Sequence, residues 1–113
     1  MSCEAVVLKY WRSWQAPADF DEMQGCLAEN VQLDMGPFQA RSSAEFRAIV
    51  EASPSPWTAV TLLDSHFGDD AGTIVYEGTD TANGIRTRVA ELCRVTDGKI
   101  DRITAVLTQL PSA

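Results

Sequence analysis

The second half of the chain predicts four β-strands joined by connections that are too short for anything but hairpins. The strands are expected over residues 57–67, 73–82, 85–95 and 99–109. Asn83-Gly84 and Asp97-Gly98 are typical of tight hairpin turns, because glycine readily adopts the positive φ angles that such turns require. Strands connected in this way must form an antiparallel meander, since a parallel pair needs a much longer crossover.

The first half predicts three amphipathic helices and one short strand. The helices are expected over residues 3–14, 19–29 and 42–52, and the strand over residues 31–35. Asp19 and Ser42 are each followed three residues later by a glutamate, a pattern typical of helix N-termini. The predicted order is therefore ααβαββββ, an α+β fold in which the helices cover the concave face of a curved, mainly antiparallel sheet. The length suits a single domain over residues 1–113.

Charge and cysteine content exclude several classes of partner. The formal net charge is −7, which disfavours both nucleic acid and an anionic membrane. No segment is apolar enough to span a bilayer or to act as a leader. Cys3, Cys26 and Cys93 are widely spaced, with no histidine at zinc-ligand spacing, so we expect no metal and reduced thiols in a cytoplasmic protein.

The hairpin turns also predict which side chains share the inner face. A two-residue loop at Asn83-Gly84 places Tyr76 opposite Glu91 and Ile74 opposite Cys93, on a face that is otherwise mostly apolar. A three-residue loop with Gly98 in the left-handed conformation then puts three apolar residues of the last strand, Ile103, Ala105 and Leu107, beside Val89, Glu91 and Cys93. This inner face carries two carboxylates, Asp80 and Glu91.

The strand over residues 57–67 permits two arrangements. A four-residue loop after it turns Leu63 and Phe67 inward, whereas a five-residue loop turns Asp64 and His66 inward. The residues alone leave both open.

Three segments together resemble the nuclear-transport-factor-2-like superfamily, which includes SnoaL-like polyketide cyclases, ketosteroid isomerases and limonene epoxide hydrolases. They are Ala5–Tyr10, Asp19–Asp34 and Val95–Ile100, in the order in which that superfamily has them. The resemblance implies a cone-shaped α+β barrel with a deep pocket and a homodimer formed through the outer sheet face, with Val75, Leu92 and Val106 at the interface. It implies no cofactor.

The resemblance also implies roles for individual residues. Tyr10 lies where ketosteroid isomerases have an oxyanion-donating tyrosine, and Glu91 lies at the position of their protonated donor acid. At the position of the isomerase base this chain has Met35, next to Asp34. Gly78 stands where epoxide hydrolases have their arginine, so we do not expect that chemistry.

The sequence therefore predicts a binding pocket for a small apolar or polycyclic molecule. The candidate catalytic residues are Glu91, Tyr10, Asp34 and Asp80. The candidate ligand-binding residues are Trp14, Met35, Ile74, Tyr76, Val89, Cys93, Ile103 and Leu107. One hypothesis is acid/base isomerase, cyclase or hydrolase chemistry on a carbonyl or hydroxyl compound. The alternative is a non-catalytic dimerisation or ligand-sensing module.

Overall fold

Three helices lie in the first half of the chain, as predicted. In the computed structural model, which describes residues 2–111, they are α1 (Cys3–Ser13), α2 (Phe20–Gly25) and α3 (Ser43–Ala52). The Asp19 carboxylate accepts a hydrogen bond from the Glu22 amide, and the Ser42 hydroxyl accepts one from the Glu45 amide. Both predicted capping pairs therefore start their helices. Within the described residues no helix is long and apolar enough to cross a membrane.

Six strands form one curved, mixed sheet that does not close into a barrel. They are β1 (Leu27–Asp34), β2 (Gln39–Ala40), β3 (Trp57–Phe67), β4 (Ala71–Asp80), β5 (Arg86–Thr96) and β6 (Lys99–Gln109). Their order across the sheet is β2-β1-β6-β5-β4-β3. The pair β1 and β6 is parallel and the others are antiparallel. The α+β class is confirmed. The observed order is ααββαββββ, because no pattern in the sequence predicts the two-residue β2.

The second helix and the first strand were predicted with the wrong boundary. We expected the helix to end near Glu29, but it ends at Gly25, and β1 begins at Leu27. Leu27 is paired with Ile100 of β6, whose amide donates to the carbonyl of Cys26 at 2.9 Å. This pairing with the last strand overrides the local preference for a helix. The residues near Glu29 do not predict it, because the partner strand lies at the other end of the sequence.

The hairpin between β4 and β5 uses a wider turn than Asn83-Gly84 predicted. Gly84 has a positive φ but Asn83 does not, whereas a type I′ turn needs both. The Asp80 carboxylate accepts from the Ala82 amide at 2.8 Å, and the Asn83 side chain accepts from the Ile85 amide at 2.8 Å. These side-chain bonds close a four-residue loop, so the register of the two strands slips by two residues.

A slip of two residues keeps every side chain on its predicted face but changes its neighbour. Tyr76 lies opposite Val89 rather than Glu91, and Glu91 lies opposite Ile74. Cys93, expected opposite Ile74, lies opposite Gly72.

The hairpin between β5 and β6 has the predicted pairing, but a different turn produces it. Asp97 and Gly98 both have positive φ and form a two-residue turn between Thr96 and Lys99. An irregularity follows, because Val95 pairs with Ile100 but the next pair is Arg94 with Arg102. The extra residue, Asp101, shifts the later pairs to those that a three-residue loop would give. Cys93 therefore lies opposite Ile103, Glu91 opposite Ala105 and Val89 opposite Leu107, as predicted.

The structure shows which side chains of β3 point toward the core. Phe67 pairs with Gly72 across a four-residue loop and packs against the core, while Asp64 and His66 are exposed. Leu63, the other residue expected inside, is 47% exposed. It lies in an irregularity of the β3–β4 pairing between Leu62 and Asp64, which interrupts the alternation of faces.

The core lies between the inner face of the sheet and the apolar sides of the helices. Its most completely buried members come from all parts of the chain: Val6, Val7, Tyr10, Met23, Val31, Phe46, Ile74, Tyr76, Ile100 and Ile103.

Candidate functional site

A cavity of about 1050 Å³ opens between α3, the end of α1 and the inner face of the sheet. Its rim includes the exposed turn Gly36–Phe38 and Asn83 of the β4–β5 loop. Nine of the residues singled out from the sequence line this cavity: Tyr10, Trp14, Asp34, Met35, Tyr76, Asp80, Val89, Glu91 and Leu107. A domain of this size thus retains an internal space large enough for a small organic molecule.

Three of the candidate ligand-binding residues do not line the cavity. Ile74, Cys93 and Ile103 are buried in the surrounding core instead. Because of the two-residue slip of the β4–β5 hairpin, Cys93 lies opposite Gly72, in the part of the core that contains Cys3. These side chains pack the end of the sheet beside the cavity.

The polar centre of the cavity is the carboxyl group of Glu91, held by two phenols. Tyr76 Oη donates to Glu91 Oε2 at 2.7 Å, and Tyr10 Oη donates to Glu91 Oε1 at 3.1 Å. All three residues are buried, with 1% exposure for Tyr10, 2% for Tyr76 and 3% for Glu91. They are the chain's only two tyrosines and its one fully enclosed carboxyl group among the described residues. We call this group the phenol–carboxyl triad.

Each member of the triad comes from a different element. Tyr10 lies on the apolar side of α1 with Val6 and Val7, at the helical spacing seen in the sequence. Tyr76 on β4 is diagonal to Glu91 on β5, and a tyrosine is long enough to span such a diagonal. The triad therefore ties one helix to two neighbouring strands.

Aromatic neighbours fix the position of the Tyr76 ring. It meets Trp11 and Trp57 edge to face, at centroid distances of 5.8 Å and 6.2 Å. Such contacts favour one orientation of the ring, so the Tyr76 phenol oxygen is held in place by its packing. Elsewhere in the cavity wall, Trp14 packs against Phe46 of α3 with ring centroids 5.8 Å apart.

Burial sets the protonation of the triad. Desolvation raises the pKa of Glu91, and the hydrogen bonds from Tyr76 and Tyr10 lower it in part. Desolvation, and then the nearby charge of Glu91, raise the pKa of both Tyr10 and Tyr76 well above the usual value of 10.0. Both phenols therefore stay protonated near neutral pH, and Glu91 is the member of the triad that ionises first as the pH rises.

The other two candidate acids are engaged in turns. Asp34 is exposed, and its carboxylate accepts from the Gly36 amide at 3.0 Å. Asp80 accepts from the Ser55 hydroxyl at 2.6 Å as well as from the Ala82 amide. Both line the cavity, yet neither is hydrogen-bonded to the triad.

Some lining residues were missed as site residues. Phe46 and Trp57 line the cavity, although neither was among the candidate ligand-binding residues. Phe46 lies on the apolar side of α3, so helical spacing predicts that its side chain points inward. The spacing does not predict that a cavity lies beside the ring. Phe38 at the rim follows the Gly36-Pro37 break, where no periodicity indicates direction. Among residues 2–111, no group of three or more His, Cys, Asp or Glu side chains is placed to hold a metal ion.

Comparison with known proteins identifies the family. A family model described as a SnoaL-like domain matches residues 7–103. The chain belongs to the SnoaL-like domain family. A comparison with curated proteins finds no match.

Solved structures share the fold of this SnoaL-like domain. A proposed ketosteroid isomerase from Kribbella flavida is 18% identical with a TM-score of 0.78, covering 96% of this chain and 79% of that one. An NTF-2 like protein of unknown function from Burkholderia xenovorans is 13% identical with a TM-score of 0.81, covering 97% and 85%. An LEH-like epoxide hydrolase from M. tuberculosis is 15% identical with a TM-score of 0.76, covering 92% and 80%. At these identities the likeness shows the fold alone, and the predicted SnoaL-like family is confirmed by the family model.

The raised pKa of Glu91 predicts how the stability of this SnoaL-like domain depends on pH. Below the ordinary value of 4.5 both the folded and unfolded states hold the proton. As the pH rises further, Glu91 ionises first in the unfolded state. The free energy of unfolding therefore falls until the pH passes the pKa of Glu91 in the folded protein. Each unit of raised pKa corresponds to a loss of about 1.4 kcal/mol.

Urea unfolding of the wild type and of Glu91→Gln between pH 4 and pH 8 isolates this contribution. The free energy of unfolding of the wild type relative to the variant should fall as the pH rises. A difference that stays constant or increases with pH would show that Glu91 is not protonated more readily in the folded protein.

Proposed function

We propose that this domain binds a small, largely apolar molecule, with the phenol–carboxyl triad holding its one polar group. The observation that carries the proposal is the position of Glu91, a buried carboxyl group at the wall of a cavity lined mainly by apolar and aromatic side chains. Pockets of this composition, with a few placed polar groups, are typical of small-molecule sites.

The hydrogens of the triad determine which polar group fits. When Glu91 is ionised, both phenol hydrogens point at its two oxygens, so the triad offers lone pairs but no donor to a ligand. A ligand hydroxyl fits this state directly. A ligand carbonyl needs a hydrogen-bond donor, and the triad has a spare donor only when Glu91 is protonated. Either the carboxyl hydrogen or a phenol hydrogen that is no longer needed by Glu91 can then point toward the cavity. The raised pKa of Glu91 brings that state closer to neutral pH.

The proposal includes two forms, which differ in whether turnover follows binding. In the enzymatic form, Glu91 and Tyr10 polarise a carbonyl or hydroxyl group of the bound compound and Asp34 or Asp80 accepts a proton from it, in line with relatives described as an isomerase and an epoxide hydrolase. In the ligand-sensing form there is binding alone. The engagement of Asp34 and Asp80 in turns favours the second form, since no second carboxylate is free beside the triad to act as a base.

Binding is tested by thermal shift with steroid, polyketide-like and terpene alcohols and ketones, on the wild type, Tyr10→Phe, Tyr76→Phe and Glu91→Gln. Loss of one hydrogen bond to the ligand should weaken its affinity about tenfold, with a smaller shift in each triad variant. The matched control is Glu29→Gln, which changes an exposed glutamate on β1 and should keep the full shift.

A compound that stabilises all these variants equally would contradict the role of the triad. Incubation of each stabilising compound with the protein, followed by analysis of products, distinguishes the enzymatic form from the ligand-sensing form.

We also propose that two copies associate through the outer face of the sheet. Leu92 is 50% exposed and Val106 is 60% exposed there, with the half-buried Val75 beside them in the same face. Neighbouring rows carry the ion pairs of Arg88 with Glu77 and of Arg94 with Asp101. An apolar centre with a charged surround is the usual composition of a two-fold interface.

Light scattering at micromolar concentration should give the mass of a dimer, and the double change of Leu92→Glu and Val106→Glu should give a monomer. Phe38→Glu is the control, because Phe38 is equally exposed but lies at the cavity rim. A monomeric wild type would refute the proposed interface.

A further inference from the structure

The ionisable groups of the cavity are all acidic. Asp34, Asp80 and Glu91 line it, and no lysine, arginine or histidine does so among the described residues. The ion pairs of the described residues lie elsewhere and involve none of these three acids. An anionic ligand would therefore meet repulsion and no compensating cation.

The phenol–carboxyl triad is short of donors and rich in acceptors. An ionised carboxylate has about four lone-pair sites, of which the two phenols occupy one on each oxygen. The phenol oxygens keep lone pairs of their own. The other groups that face Glu91 supply no positive charge, since Ala105 lies opposite it on β6 and Cys93 lies two residues further along β5.

The walls beside the triad are aromatic. Tyr10, Trp14, Phe46, Trp57 and Tyr76 all line the cavity. The face of an aromatic ring attracts a cation, more strongly in a site that excludes water. Cavity walls of this kind accept both the hydrocarbon part of a ligand and a positive charge on it.

We propose that the preferred ligand is a hydrophobic ammonium compound, whose N–H groups donate to Glu91 and the phenol oxygens while its hydrocarbon part fills the aromatic cavity. This inference rests on the proposed function and specifies the charge and donor character of the ligand. The fold itself buries the carboxyl group, so much of its desolvation cost is met before a ligand binds. An alcohol and an ammonium both donate to the ionised Glu91, but only the ammonium adds attraction between opposite charges in a site of low dielectric constant, which makes an amine bind better than the alcohol of the same shape.

The test uses three probes with one hydrocarbon cage: adamantylamine, adamantanol and adamantanecarboxylate. Their binding is measured by calorimetry at pH 8 and about 0.15 M salt, where attraction to distant surface charge is screened. We expect the amine to bind about tenfold more tightly than the alcohol, and the carboxylate not to bind. Glu91→Gln should bring the amine and the alcohol to nearly equal affinity, whereas Glu29→Gln should keep the preference for the amine.

A second measurement does not depend on the folding of a variant. Below the pKa of Glu91 the amine must displace its proton, so amine affinity for the wild type should rise with pH. Calorimetry in two buffers of different ionisation enthalpy should show that the protein releases a proton when the amine binds near that pKa.

The outcomes separate this inference from the function on which it rests. If the alcohol binds and depends on Tyr10, but the amine is not preferred, the ammonium inference is wrong and the binding function stands. A preference for the amine that survives Glu91→Gln also overturns the inference. If none of the three probes binds to the wild type, both proposals are wrong.

Discussion

The enclosed carboxyl group of Glu91 is the constraint on which the rest of this structure depends. A carboxyl group removed from water is costly unless hydrogen bonds satisfy it, and here two phenols do so. Meeting this requirement fixes the position of α1 over β4 and β5, because Tyr10 and Tyr76 must both reach the same side chain. Replacing one phenol leaves a buried oxygen without its donor, so stability and the shape of the site are coupled.

The same constraint limits the chemistry of the cavity. Both phenols remain protonated and directed at Glu91, while Asp34 and Asp80 stabilise turns at its edge. The site therefore places one buried carboxyl group, whose pKa is raised by desolvation, among aromatic side chains. This arrangement is better suited to selecting a ligand by its hydrogen-bond donors and its charge than to moving protons between two carboxylates. Neither the resemblance to isomerases nor the shared fold supplies the missing base.

Much of this arrangement could be predicted from the sequence. Helical spacing placed Tyr10 inward, and strand alternation placed Glu91 and Tyr76 on one face, since any slip of an even number of residues preserves the face. The pairing itself could not be predicted, because the side chains of Asp80 and Asn83 close a loop that the Asn83-Gly84 pattern does not reveal. The start of β1 at Leu27 depends on β6, which lies more than seventy residues away in the sequence. The cavity was predicted but not its full lining, because whether Phe46 meets a neighbour or empty space depends on the spacing of whole elements.

Spectrophotometric titration of tyrosine at alkaline pH probes the buried triad itself, because both tyrosines of the chain belong to it. We expect no phenolate absorbance in the folded protein at pH 10, and a single rise from both residues when the protein unfolds at higher pH. A tyrosine that ionises near its usual pKa of 10.0 while the fold is intact would contradict this expectation.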